Sequence, residues 1–233
     1  MSMTTAHRTA MLTLYFNNTD HANIGDAGGL QNSAVAGSFH VSLHETWPGL
    51  SGDQTTGETA YGSYARQAVA RSGAGWTVSG NNVTNAALIT FPAASSGPST
   101  VFYVGIGSAS SGAGNLNFTC PMGTNIGPCA SDDTAGDNVT IPAHGLSVDD
   151  RIAFFADGSE LGLPTGITAG TVYFVKTVTD TNNVILSTTS GGSAVNITAV
   201  GRGIAFKMIG LVITSAPAIT PKIAAGELDL FGY

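Results

Sequence analysis

The sequence predicts an all-β fold: a jelly-roll-like β-sandwich with a short N-terminal helix and an inserted small β domain. Three observations carry that expectation. Runs of Val, Ile, Phe and Tyr are separated by short clusters of Gly, Ser, Thr and Asn, the punctuation of strands and turns. Hydrophobic residues make up 42% of the 233 residues and charged ones only 10%, a balance that folds rather than stays disordered. The stretch "GSFHVSLHETWPG", residues 37–49, alternates apolar Phe39, Val41 and Leu43 with polar His40, Ser42 and His44. That is the period of a strand with one face buried.

Taken in order, "TTAHRTAMLTLYF" (about 4–16) is the one helix expected. Thr4 or Thr5 supplies the N-cap oxygen, and Met11, Leu14 and Tyr15 fall on one face. This N-terminal stretch lacks a basic leader and reads as part of the mature fold rather than a signal peptide. After the strand at 37–45, "SYARQAVA" (63–70) alternates and predicts a second. "GWTVSGNNVTNAALITFP" (75–92) predicts a strand, a Gly-Asn-Asn turn and a strand. "STVFYVGIGSA" (99–109) predicts a fully buried strand, and "GLVITSAP" (210–217) and "AAGELDLF" (224–231) close the set. Between Cys120 and Phe206 the character changes: short strands recur at regular spacing with Gly, Asp and Asn turns. The expected organisation is therefore a sandwich from 1–119 and 208–233, with a β module at 120–207 inserted through Gly-rich hinges.

Charge narrows the function. Eight basic and fifteen acidic residues give a net charge of −7, with lysine only at 176, 207 and 222. No patch capable of neutralising phosphates is visible, so a nucleic-acid partner is not expected. No apolar run approaches the roughly 18–20 residues of a membrane span, so neither is a membrane. So few charges suit a chain that buries surface against copies of itself or other subunits, a homo-oligomer with a trimer among the candidates.

The chemistry-bearing residues all have bland readings. His40 and His44 lie roughly 13 Å apart along a strand, too far for one metal ion at about 2.1 Å from each nitrogen. The H-E-x-x-H order is absent, since Glu45 follows the second histidine. They read as strand surface residues, or as contacts between subunits. Asp132, Asp133 and Asp137 in "SDDTAGD", and Asp149 and Asp150 in "SVDD", do not meet EF-hand spacing and read as turn residues. His144 in "PAHGL" reads as a turn residue on the module's rim. "GIGSASSGAG" lacks the lysine of a phosphate loop and reads as a turn, and no nucleophile elbow occurs. Glu45, Glu58, Glu160 and Glu227 sit in no recognisable glycosidase context. Five Asn-x-Ser/Thr sequons, at Asn17, Asn82, Asn117, Asn138 and Asn196, read as β-structure rather than glycan sites. Cys120 and Cys129 have no histidine to complete a zinc set. A loop-closing disulfide and, in a reducing cytoplasm, free thiols are both open. Trp47 and Trp76 read as anchors of the core or of an interface. No catalytic, cofactor or metal residues are expected.

Four pieces carry a resemblance: "LTLYFNNTDHANIGDAGGLQNSAVAGSFHVSLHE", "GDQTTGETAYGSYARQAVARSGAGWTVSGNNVTNAALITFPAA", "FYVGIGSASSGAGNL" and "LVITSAPAITPKIAAGELDL". Together these roughly 140 residues resemble tailed-bacteriophage structural proteins, of the kind called tail-fibre or virion proteins. The run "YARQAVARSGAGWTVSGNNVTN" is its most specific part. The segment marked by "TIPAHGLSVDDRIAFF", "LPTGITAGTVYFV" and "NNVILSTTSGG" is similar to small β modules of phage tail and fibre proteins. In shorter relatives the chain would pass from "GAGNL" almost directly to the final strands. The resemblance implies a non-catalytic virion component assembled in the host cytoplasm, exposed on the particle exterior, and bound to other virion proteins. A head-decoration or cement protein and a tail-fibre-associated one are equally compatible with it. The alternative from another class is a carbohydrate- or host-receptor-binding module, with Trp47, Tyr61, Tyr64 or Trp76 as the sugar platform.

Overall fold

The computed structural model describes residues 3–22, 24, 29–131 and 136–231. It is all-β around one helix, α1 (Thr5–Asn17). Thr4 is the N-cap, its hydroxyl accepting from His7 N, and Asn18 closes the C-terminus in the left-handed region at φ 54°. The helix buries a different face from the one expected. Phe16 is fully buried and Leu12 packs beside the core, whereas Met11 and Tyr15 are each 38% exposed. Phe16 sets its ring against Trp76 and Phe39, and Leu12, one turn away, packs on the same core.

The outer strands are β1 (Ser38–His44), β2 (Gln67–Ala70), β3 (Trp76–Ser79), β4 (Asn82–Asn85), β5 (Ile89–Thr90), β6 (Ser99–Val101), β7 (Tyr103–Gly107) and β8 (Leu116–Pro121). Six more follow: β9 (Gly123–Ser131), β10 (Asn138–Thr140), β11 (Arg151–Phe155), β12 (Tyr173–Val178), β13 (Asn183–Ser187) and β14 (Gly201–Met208). The chain then ends in β15 (Leu211–Ile213), β16 (Lys222–Ile223) and β17 (Asp229–Phe231). A four-stranded sheet runs β2-β1-β7-β8; three short ladders, β15-β6, β16-β5 and β17-β4-β3, lie across from it. Phe39, Val41 and Ile106 of the sheet meet Phe16, Trp76, Val83, Ile213 and others from the helix and ladders in one core. The second layer is thus assembled from short ladders, each stable only through this shared core.

Local chemistry explains most strand limits. β3 and β4 pair with Ser79 opposite Asn82, and Gly80 at φ +63° makes the tight turn. β2 is shorter than the alternation over 63–70 because Ser63 takes φ 73° and Arg66 turns inward to Glu58. The buried run 99–109 is interrupted at Phe102, because β6 pairs with β15 while β7 pairs with β1.

Strands β9 to β14 form a closed six-stranded antiparallel barrel in the order β10-β13-β12-β11-β14-β9. Its own core holds Val139, Ile152, Phe154, Val175, Leu186 and Ala205, all fully buried. The chain enters and leaves the barrel side by side: Gly123 pairs with Met208, and Ile209 N donates to Met122 O at 2.7 Å. The glycines here are close-packed rather than loose. A side chain on Gly123 would strike the Lys207 backbone, and one on Gly210 would come within 2.6 Å of the Phe102 ring. No described helix is long and apolar enough to cross a membrane.

Candidate functional site

Two places concentrate chemistry: a polar network on the back of the four-stranded sheet, and an aromatic seam between that sheet and the barrel.

The network starts from β1. Ser42 and His44 share the face opposite Val41 and Leu43, as the alternation requires, but both are completely buried. His44 is therefore not the strand surface residue expected from the sequence, whereas His40 on the same face is only partly buried. The cause is a distant segment that folds over them. Glu45 N donates to Gly57 O at 2.8 Å and Thr59 N to Leu43 O at 2.9 Å, so residues 57–59 continue the sheet edge where β2 stops. Room beneath comes from β7, where Gly105 lies opposite Ser42; a Cβ there would sit 2.5 Å from both the Ser42 hydroxyl and His44 Nε2. Gly107 makes the same space for the buried Gln54 side chain. The glycines of "GIG" thus serve the strand itself, while the turn begins after them.

His44 Nδ1 lies 2.9 Å from the Thr56 carbonyl, which can only accept. Nδ1 therefore carries the proton, and Nε2 accepts from the Ser42 hydroxyl at 2.8 Å. Burial holds His44 below the ordinary imidazole range, against the Thr56 carbonyl and the Glu58 carboxylate, which favour the charged form. A serine on a histidine nitrogen is the opening of a nucleophilic dyad. Here both groups are sealed from solvent, and the second nitrogen meets a carbonyl that pins a loop. Next to it, Glu58 receives both Arg66 Nε and Nη2 at 2.7 Å and the Tyr64 hydroxyl at 2.8 Å. Arg66 Nη1 reaches Ala109 O at 3.0 Å, and Tyr64 accepts from Leu43 N at 3.0 Å. Burial drives the Tyr64 hydroxyl far above the usual phenol range, so it stays a neutral donor to Glu58. Glu45 turns to the other side, collecting the Ser99 and Thr59 hydroxyls. His40, Glu45 and His44 are not brought together, and among the described residues no three His, Cys, Asp or Glu groups are placed to hold a metal.

The seam is built on Trp47, Phe102 and Tyr103 from the outer part and Ala153, Phe155, Phe206 and Met208 from the barrel. Trp47 meets Phe155 edge-on at 5.4 Å between centroids and covers Gly170, where a side chain would overlap the indole. The Tyr103 hydroxyl donates to Gly170 O at 2.6 Å. Arg151 stacks between Phe102 and Phe174 at 5.5 and 5.6 Å. β11 explains why a strand can be buried on both faces: Ile152 and Phe154 point into the barrel core, Ala153 and Phe155 into the seam.

The other sequence candidates resolve individually. Asp132 and Asp133 lie outside the described residues. Asp137 accepts from Ile197 N, Asp149 from the Ser190 hydroxyl, and Asp150 from Ser147 N and Lys207 Nζ, all bracing turns. His144 is buried, accepting from Leu146 N and donating to Asp180 O, and so ties two barrel turns together. Cys120 and Cys129 are free thiols. They belong to different cores, the sandwich and the barrel, so they cannot meet. Burial pushes each thiol up to about 12. Of the proposed sugar platform, Trp76 and Tyr61 are buried and Trp47 is committed to the seam. Sequence reasoning missed the Glu58–Arg66 pair, the Tyr103–Gly170 bond and the purpose of Gly105. The glycines inside an apolar strand were the one readable signal, since such glycines mark close approach.

A family model described as Podophage GP4 fiber I protein gp80 matches residues 2–149. That is more than half of the chain and includes the whole polar network, the outer side of the seam and the first two barrel strands. No curated protein matches the chain.

Proposed function

The chain belongs to the Podophage GP4 fiber I protein gp80 family, and from that premise we propose that it is a non-catalytic fibre component exposed on the exterior of a tailed-phage particle. Membership makes it a bacteriophage virion protein associated with other virion proteins. The observation that carries the non-catalytic reading is the sealed network. Its one nucleophile-like pair, Ser42 and His44, has no exposed surface and is spent holding residues 56–59 against the sheet.

In this reading the chain has two parts. Residues 1–119 with 208–233 form the body that contacts other virion subunits, and residues 120–207 form a module projected from it. Neutral, apolar surface supports such contacts: Val35 is 81%, Leu50 96% and Ile209 63% exposed. The chain acts as a homo-oligomer; light scattering of the pure protein that returned the mass of one chain would remove that element. Assembly takes place in the host cytoplasm, which agrees with two free thiols.

Gold labelling of whole particles with an antibody to this protein tests placement. Label at the tail fibres is expected. Label spread over the head would replace the fibre placement with a decoration role. No label, with the epitope shown to be accessible, would remove the exterior reading.

A further inference from the structure

We propose that a cleft of about 400 Å³ beside Arg71 binds a carboxylated saccharide. It is an open groove, and it lies where the end of α1, the start of β1 and the turn between β7 and β8 converge. Tyr15, Ser38, Arg71, Ser108, Asn115 and Asn117 line it.

Arg71 is the centre of the site. Its Nε donates to Tyr15 O at 2.7 Å, Nη2 to Leu14 O at 3.2 Å and Nη1 to Ala36 O at 3.1 Å. The Tyr15 and Phe39 rings lie 6.0 and 5.6 Å from the guanidinium carbon. A guanidinium has five N–H groups. Three are used, leaving one N–H on each terminal nitrogen. The three carbonyls and two rings fix the plane of the group, so little freedom is lost when a ligand arrives.

Arg66 has Glu58, and Lys207 has Asp150. Among the described residues no carboxylate pairs with Arg71. The last carbonyls of α1 offer only the partial negative charge of a helix end. A carboxylate supplies what is missing: a full charge on two oxygens in a plane, the partner geometry of a guanidinium.

The rest of the wall specifies a sugar rather than a bare anion. Ser38, Ser108, Asn115 and Asn117 present neutral hydroxyl and amide groups. Ser108 accepts from Asn115 N and keeps its own O–H available. Tyr15, 38% exposed, stands at the rim with its ring stacked on Phe39. Hydroxyls and amides around one fixed cation suit a polyhydroxylated acid. This inference does not depend on placement in the particle, since it concerns the isolated chain.

The test is NMR of the Arg71 Nε–H signal in the full chain, titrated separately with glucuronate, glucose and inorganic phosphate. Glucuronate is expected to shift the signal saturably, with a Kd on the order of 1 mM, and glucose is expected to leave it unchanged. Asn117→Asp places a carboxylate in the cleft without removing any hydrogen bond found for Asn117. It is expected to weaken glucuronate binding about tenfold or more while the rest of the spectrum keeps its folded pattern. Equal responses to glucuronate and glucose, no saturation with glucuronate, or undiminished binding in Asn117→Asp would each overturn the site. Phosphate binding as tightly as glucuronate would overturn the saccharide assignment in favour of a plain anion site.

Discussion

His44 shows how a single buried side chain acquires consequences from its surroundings. Burial lowers its affinity for a proton, and burial with the nearby Arg66 charge does the same for His40. In the unfolded chain both return to the ordinary value of about 6.5. Below that pH the unfolded chain binds protons that the fold refuses, so stability falls as pH drops. The stabilising contribution is complete above about pH 6.5 and is lost as pH falls towards the depressed values. The urea midpoint is therefore expected to fall between about pH 7.5 and about pH 5.5. His44→Asn is expected to flatten that profile in part; a profile identical to wild type would show that other groups cause the loss. Gly105 belongs to the same scale. Its missing side chain is what lets an imidazole and a hydroxyl lie flat on the neighbouring strand.

At the scale of elements, the seam decides how the barrel is carried. β11 and β14 each present one face to the barrel interior and another to Trp47 and Tyr103, so barrel and sandwich share aromatic contacts rather than a free linker. Trp47→Ala is expected to cost about 1–3 kcal/mol, less than a fully buried tryptophan, because Trp47 is only partly buried. Tyr103→Phe, which removes only the bond to Gly170 O, is expected to cost about 1 kcal/mol. Calorimetry separates the two roles. Trp47→Ala should split or broaden unfolding as barrel and sandwich decouple, whereas Tyr103→Phe should lower Tm without splitting. An unchanged Tm in both would mean the seam adds no cohesion.

For the whole molecule, two cores of unlike construction are joined where two strands cross side by side. Because Gly123 faces Met208, the ends of the barrel segment are as close as paired strands. Replacing residues 123–208 by a short turn is therefore expected to leave a folded outer part, and the excised segment is expected to fold by itself around its own core. The outer part should lose Tm, since Trp47, Phe102 and Tyr103 would face water. Dispersed NMR spectra from both pieces are the expected result. An unfolded outer piece would show instead that the barrel and the sandwich are one cooperative unit.

Much of this was written in short windows of sequence. Alternation at 37–45 gave β1, the Gly-Asn turn gave the β3–β4 hairpin, Thr4 gave the helix start, and regular turn spacing announced the barrel strands. These features depend on neighbours a few residues apart, where backbone preference and side-chain period act directly. The tertiary structure decided the rest. It chose Phe16 over Met11 for the helix's inner face, buried His44 under residues 56–59, placed Cys120 and Cys129 in separate cores, and brought Tyr103 to Gly170 across 67 residues. It also left Arg71 charged at the edge of a cleft. Those outcomes depend on which distant surfaces meet, and a period-2 pattern specifies that a face is covered without specifying what covers it.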